Sequence, residues 1–420
     1  VNVLGAKAED LQGVKVHFWH TWRNASKTEL EKLVVEFNGT NPYGVWVDLR
    51  ALGNMDALNT ALAEAQGDAD LPDLALVEPE QAQAWLNSGK SIDLTPYVQD
   101  AEWGFNADQV KDFYPFVDAD QSGTPRAGFP AEQDALVMYY NQSWAEELGF
   151  SDPPANLDGW REQACAASLA NRLDNSYENN GTGGWIVDSS APSLVGWDRV
   201  MGGSLVDGTG KTVFNTPEMT AAFEMLRQAV DDNCAWTARL NIPYSYFASR
   251  KALFYTGWLS DLPVQTHFNL DVQSTDVWTV LPLPGKNGDP VVLVSGSAYV
   301  ILKQTAEEQL AAWTFIRWMS EPAQQARMAQ AGGTLPLSAG ALEEMKATYS
   351  QNARWAAIAR LAGQAQGEPS STDWFLVRPI LQDGGRQLFA TQTKLADIPA
   401  ILEQMDTMAA EIRSQGSVQP

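Results

Sequence analysis

Basic charge is scarce in this 420-residue chain: 28 lysines and arginines stand against 52 aspartates and glutamates, a net charge of −24. A field of that sign repels phosphate backbones and anionic lipid, so nucleic-acid and membrane-surface roles are not expected. Histidine is scarcer still. The three, His17, His20 and His267, show no metal-ligand spacing, and the sequence carries neither an H-E-x-x-H helix nor a G-x-S-x-G elbow. No metal, no cofactor and no hydrolytic triad are therefore expected, although carboxylates that pair only in space would leave no linear signature. No apolar run reaches the roughly 18 residues of a membrane-spanning helix. Cysteine occurs twice, and Cys165 with Cys234 reads either as one disulfide of an exported protein or as two buried thiols.

What is present is a globular composition, 45% hydrophobic and 19% charged, in a chain too long for one ordinary core. Two domains are expected. Residues 1 to 12 read as a loose tail, after which "VKVHFWH" alternates as a strand. The segment "SKTELEKLVVEFN" then puts Leu30, Leu33, Val34 and Phe37 on one helical face, with Ser26 and Glu29 spaced as a capping box. Strand "VWVDL", a helix through Met55, Leu58 and Leu62, strand "DLALVE" and a helix around "QAQAWLNSG" complete a β-α-β-α-β-α pattern. That order specifies an open parallel sheet, and ligands of such sheets bind beyond the carboxyl ends of the strands. The residues at those ends are Trp19, His20 and Thr21, then Leu52 to Asn54, then Glu78.

The stretch "GFPAEQDALVMYYN", Gly128 to Asn141, sets Glu132, Gln133 and Asp134 at the mouth of an apolar run that reads as a fully buried strand. Polar groups there cost desolvation unless something polar meets them. Two look-alike motifs fail on their own terms. "DGTGKT" ends like a phosphate-cradling loop, but Leu205 stands where that motif requires Gly, which leaves a Gly-rich turn. "DADQSG" places Asp118, Asp120, Ser122 and Gly123 like half a calcium loop, but Phe129 stands where the bidentate Glu should be.

The 16 Trp are many for this length, and several lie in loops beside Gly, Ser and Asp. Glu78, Gln133 and Asp134 offer acceptors, while Trp19, Trp185, Trp197, Trp258 and Trp374 offer flat faces with one donor edge. A pyranose uses both, through its hydroxyls and its C–H faces.

In this order "VHFWHTW", "ELEKLVVEFN", "LPDLALVE", "GFPAEQDALVMYYNQSWAEELGF", "FASRKALF", "VLPLPG" and "AAWTFIRWMSEPAQQARMAQAGGTLPLS" resemble the family 1 extracellular solute-binding proteins of ABC importers, of carbohydrate or glycerol-phosphate type. The resemblance runs over about residues 13 to 412. It implies an α/β fold of two lobes, a type II periplasmic-binding-protein or Venus-flytrap architecture. Each lobe would be an open, mostly parallel sheet with helices on both faces, and a ligand cleft would lie between them. The implied lobes are 1–130 plus 281–320 and 131–280 plus 321–420, with crossings near 128–133, 277–282 and 319–323.

The implied function is not catalysis but extracytoplasmic sugar or polyol binding, with delivery to permease subunits by hinge closure. Glycerol 3-phosphate or a glycerophosphodiester is the alternative ligand, and a carbohydrate-active hydrolase a further one. The protein would be a bacterial monomer of the periplasm or cell surface, any lipid anchor lying upstream of Val1. Family sugar contacts fall on positions that here hold Trp19, His20, Asn54, Glu78, Gln133, Asp134, Trp258, Ser295, Gly296, Ser297 and Arg378. Trp258 in "YTGWLS" favours a sugar ring, whereas Arg378 in "DWFLVRPIL" suits a phosphate ester. Two departures stand out: Arg250 occupies a position that is usually Gly, and "GGT" before "LPLS" lacks the common aromatic.

Overall fold

Alternation in the first 51 residues produces the pattern it specifies. Strands β1 (Lys15–His20) and β2 (Trp46–Ala51) pair in parallel, Val16 opposite Val47 and Phe18 opposite Leu49. The computed structural model describes residues 4–65, 71–117, 125–239, 242–369, 371 and 373–416; the calcium-like stretch Asp118 to Gly123 lies outside them. The chain divides into two compact units, the first made of residues 1–134 and 296–352, the second of 135–295 and 353–420.

In the first unit β3 (Leu74–Val77) joins β1 in parallel. Strand β4 (Phe129–Pro130) closes the edge, across a strand of residues 298–301 that runs antiparallel to both β3 and β4. The helix Asn24–Thr40 buries Leu30, Leu33, Val34 and Phe37, the face read from the sequence. Its start differs from the expected capping box: it begins two residues before Ser26, and Glu29 turns instead to Lys32 and Arg327. Asn41 ends the helix by binding the Phe37 and Val45 carbonyls through its amide while its Oδ1 accepts from the Val45 N–H. From Leu4 onward the expected loose tail is anchored, since Leu4, Ala6 and Leu11 are buried in this unit's core.

The second unit is built around β5 (Asp134–Asn141), whose residues from Ala135 onward are all buried. The strands that follow it in sequence are β6 (Gly183–Ile186), β7 (Ala235–Trp236), β8 (Ala252–Trp258), β9 (Trp278–Leu281), β10 (Leu283–Pro284), β11 (Pro290–Val291) and β12 (Leu293–Ser295). β13 is the 298–301 strand of the first unit, and β14 is Gln366–Gly367. The sheet of this unit is mixed. β5 runs antiparallel to β8 and to β9, while β6, β7 and β8 are mutually parallel, as are β12 and β14. A large apolar cluster holds Trp160, Trp185 and Trp197 at its centre, with ring centroids 5.0 to 5.9 Å apart. The "DGTGKT" stretch is a turn: Val206 bridges Thr212, and Leu205 has φ 55°.

Two boundaries fall elsewhere than the resemblance implies. The chain returns to the first unit at Gly296, not within 277–282, because β9 pairs with β5 and β12 with β14. It leaves again after Asn352, not at 319–323. The helix Pro322–Gly332 packs against Asn24–Thr40 in the first unit, with Arg327 bound to Glu29 at 2.6 Å and to Glu36 at 2.7 Å.

The Arg250 departure has a backbone reason. Its φ is 55°, the left-handed region that favours Gly. Here an Arg is held there by Glu147 at 2.7 and 2.8 Å and Asp276 at 2.6 and 2.8 Å, while its carbonyl accepts from Asn171.

Cys165 and Cys234 form a disulfide joining the helix Leu157–Leu173 to the residue before β7. The bridge spans a sequence separation of 69, and closing a loop of that length removes about 4 kcal/mol of unfolded-state entropy. Replacing both cysteines by Ser, or adding reductant, is expected to lower stability by about that amount in denaturant titrations. An unchanged midpoint would mean that the oxidised unfolded chain is no more restricted than the reduced one.

Candidate functional site

Beyond the carboxyl ends of β6, β7 and β8, all in the second unit, opens a cavity of about 660 Å³. Two of these strands contribute the residues that follow them, Val187 to Ser190 after β6 and Thr237 to Arg239 after β7, whereas β8 contributes its own last three residues, Thr256 to Trp258, which are still paired with β5. Asp188 is fixed between elements. It accepts the Ser190 N–H at 2.9 Å and the Thr256 hydroxyl at 3.1 Å, and Ser190 in turn caps the helix Ala191–Val200.

Tyr244, Trp258 and Asp261 also line the cavity, and Asp261 accepts the Trp258 N–H at 3.2 Å and the Tyr244 hydroxyl. Burial raises the Asp261 carboxyl above its usual range, against these two bonds. Tyr139 locks the turn by donating its hydroxyl to the Trp258 carbonyl at 2.7 Å. The cavity thus combines two positioned carboxylates, several hydroxyls, the four aromatic residues Tyr244, Tyr255, Trp258 and Phe389, and the two guanidinium groups of Arg239 and Arg386.

A second cluster lies at the ends of another parallel pair. β12 and β14 are in register at Leu293 with Gln366 and Val294 with Gly367, so Ser295 and Glu368 are the next neighbours. The Glu368 carboxylate receives the Ser295 hydroxyl at 2.7 Å, Trp374 Nε1 at 2.8 Å, and Arg378 Nε and Nη2 at 2.9 and 3.2 Å. Trp374 and Arg378 belong to the helix Trp374–Leu388, whose Gln382 and Arg386 line the cavity. The four-residue spacing 374, 378, 382, 386 puts them on successive turns of one winding face.

A family model described as bacterial extracellular solute-binding protein matches residues 32–359. The chain belongs to that family.

Its relatives are distant in sequence and near in shape. The sn-glycerol-3-phosphate-binding periplasmic protein UgpB of Rhizobium meliloti (strain 1021) is 20% identical over 383 residues, 88% of this chain and 86% of that one. The cyclic alpha-maltosyl-1,6-maltose binding protein of Arthrobacter globiformis superposes with a TM-score of 0.77 at 17% identity, over 94% of this chain and 98% of that one. UgpB of Mycobacterium tuberculosis, solved with glycerophosphocholine, gives 0.73 at 17% identity, over 96% and 98%. At such identities the structural likeness carries the fold.

Of the positions expected to meet ligand, this solute-binding protein sets Trp258 in the cavity wall, and Ser295, Trp374 and Arg378 around Glu368. Trp185 and Trp197 are corrections. Both have no exposed surface and form the centre of the second unit's core, one within β6 and the other within the helix Ala191–Val200. His20 is a correction as well: it is fully buried beside Phe18 and Trp22, and neither ring nitrogen has a hydrogen-bond partner among the described residues.

The other first-unit positions are spread out. Trp19 is buried under the Arg50 guanidinium, 4.3 Å from its ring centre, and Asn54 spends its side-chain oxygen capping the helix Met55–Glu64. Glu78 is exposed at the end of β3, and Gln133 and Asp134 are half-buried, Gln133 giving its carbonyl to the Leu335 N–H. Ser297 donates to Glu132 at 2.9 Å. A Cβ on Gly296 would lie 2.1 Å from the Glu132 carbonyl oxygen, so only glycine fits there.

Sequence reasoning missed Asp188, Tyr244, Asp261 and Glu368. Asp188 had a signal: it stands at a strand end just before a Ser-Ser-Ala-Pro helix start, the position already given weight in the first unit.

Burial, and secondarily Lys27, pushes His20 down to about 4 from 6.5. A depressed histidine stabilises the fold fully above its unfolded value and loses that contribution as pH falls from 6.5 through 4. The loss should be roughly 3 kcal/mol. His20→Phe should flatten this limb of the melting-temperature profile, and a variant profile parallel to that of the parent would show that His20 is not the group involved.

Proposed function

We propose that the chain is an extracytoplasmic receptor for a neutral sugar or polyol, feeding an ABC importer permease by hinge closure, without turnover and as a monomer. The observation that carries this reading is the second-unit cavity, which Asp188 and Asp261 line together with Trp258 and Tyr244. Carboxylates accept hydroxyl protons in short, charge-assisted bonds, and the aromatic faces take the C–H side of a ring. Membership of the solute-binding family and the maltosyl-maltose binding neighbour support it. Trp19, Asn54, Glu78, Gln133, Asp134 and Ser297 enter the proposal as further contacts supplied by the first unit. Any lipid anchor belongs to the same proposal.

A second reading, a glycerol phosphate or its diester, is favoured by the relation to the two UgpB proteins and by Arg239 and Arg386 in the cavity lining. The two readings separate in one thermal-shift panel of mono- and disaccharides, polyols, glycerol 3-phosphate and glycerophosphocholine. A ligand at a hundredfold excess over its dissociation constant adds about 2.7 kcal/mol of stability. That gain should come from a neutral sugar or polyol and should largely vanish in Trp258→Ala and in Asp188→Asn. A shift confined to the phosphate esters would reverse the order of the two readings. Release of the aryl group from an aryl glycoside at high protein concentration would end the non-catalytic reading.

A further inference from the structure

We propose that Glu368 is a specificity-determining residue that occupies, with the chain's own carboxylate, a site built for an anion, and so excludes phosphate esters from this receptor. The inference rests on the sugar reading for its biological sense but on the geometry of the second unit for its substance.

Four donor groups from three positions converge on the Glu368 carboxylate: the Ser295 hydroxyl, the Trp374 indole N–H and two N–H groups of Arg378. Both carboxylate oxygens are used, each by two donors, all within 3.2 Å. A planar guanidinium that approaches two oxygens edge-on is the arrangement by which arginine holds carboxylate or phosphate. An indole N–H and a serine hydroxyl complete the ring of donors that a phosphate ester would need. The site also has the location of a ligand site, at the carboxyl ends of the parallel strands β12 and β14.

Glu368 fills it from within. Its side chain is 13% exposed and that of Arg378 29%. An incoming phosphate would have to displace a carboxylate tethered at high local concentration, or sit beside it and suffer repulsion between like charges. A neutral polyol meets neither obstacle. The helix Trp374–Leu388 links this cluster to the cavity, which Gln382 and Arg386 line one and two turns after Arg378. The same three donor positions were attractive ligand contacts in the sequence; what the sequence hid was the acid that satisfies them.

The test titrates inorganic phosphate and glycerol 3-phosphate into the full chain by calorimetry, for the parent, Glu368→Ser, Glu368→Gln and the double variant Glu368→Ser with Arg378→Met. Circular dichroism and the melting temperature establish that each variant is folded. The parent is expected to show no phosphate binding at millimolar concentration, while Glu368→Ser binds both probes at least about tenfold more tightly, the scale of a newly available charge-assisted pair. Glu368→Gln should gain less, since its amide still fills the ring, and the double variant should lose the gain. Phosphate binding by the parent, or no gain in a folded Glu368→Ser, would overturn the proposal; a purely structural ion pair would change the melting temperature without changing selectivity. A parallel sugar titration keeps the two readings apart. Absence of sugar binding in the parent, together with a phosphate gain in Glu368→Ser, would sink the sugar reading and leave the role of Glu368 standing.

Discussion

The second unit depends on the pairing of β5 along both of its edges. A strand buried from Ala135 to Asn141 has no water to satisfy its peptide groups, so its neighbours must do so along its length. β8 supplies one edge from Leu136 opposite Trp258 to Tyr140 opposite Phe254, and β9 supplies part of the other. This register fixes where β8 ends. Because β8 ends at Trp258, the turn that follows brings Asp261 back onto the Trp258 N–H, and the Tyr139 hydroxyl from β5 itself secures the Trp258 carbonyl. The cavity wall is therefore an extension of the strand pairing.

Much of this was legible in the residues. Alternation gave β1 and β2, periodicity gave the buried face of Asn24–Thr40, and the unbroken apolar run gave β5 as a buried strand. The first-unit strand ends were located correctly because each parallel strand there is followed by a clear helix. The tryptophans misled for a physical reason: a Trp beside Gly, Ser or Asp in sequence can still lie inside a strand or helix. Trp185 lies in β6 and Trp197 in a helix that is buried almost throughout, so both rings meet other rings. The partners of Asp188 and Glu368 were invisible for the opposite reason. Nothing in the sequence distance between Ser295 and Glu368, or between Asp188 and Thr256, announces that a hydrogen bond will join them. The unit boundaries were hidden likewise, because β9 and the helix Pro322–Gly332 owe their membership to long-range partners.

A single design rule recurs where carboxylates are buried or half-buried. Glu132 takes the Ser297 hydroxyl, Glu368 the Ser295 hydroxyl, and Asp188 the Thr256 hydroxyl. Burial raises the Glu132 carboxyl above its usual range, and the hydroxyl works against that rise. Ser295 and Ser297 flank Gly296, the residue at which the chain changes units, and each turns to an acid of its own unit. Glu368 has the Arg378 guanidinium as well, whereas for Glu132 and Asp188 short hydroxyl donors help to hold a carboxylate in place in a protein with few cations to spare.

The disulfide reaches further than its contribution to stability. Cys234 is the residue before β7, and the three residues after β7, Thr237 to Arg239, form one wall of the cavity. The bond therefore anchors a very short strand whose ladder partner among the described residues is β6 and whose far end leads into that wall. The same cross-link therefore ties that wall of the cavity to the helix Leu157–Leu173, restricting the folded protein as well as the unfolded chain.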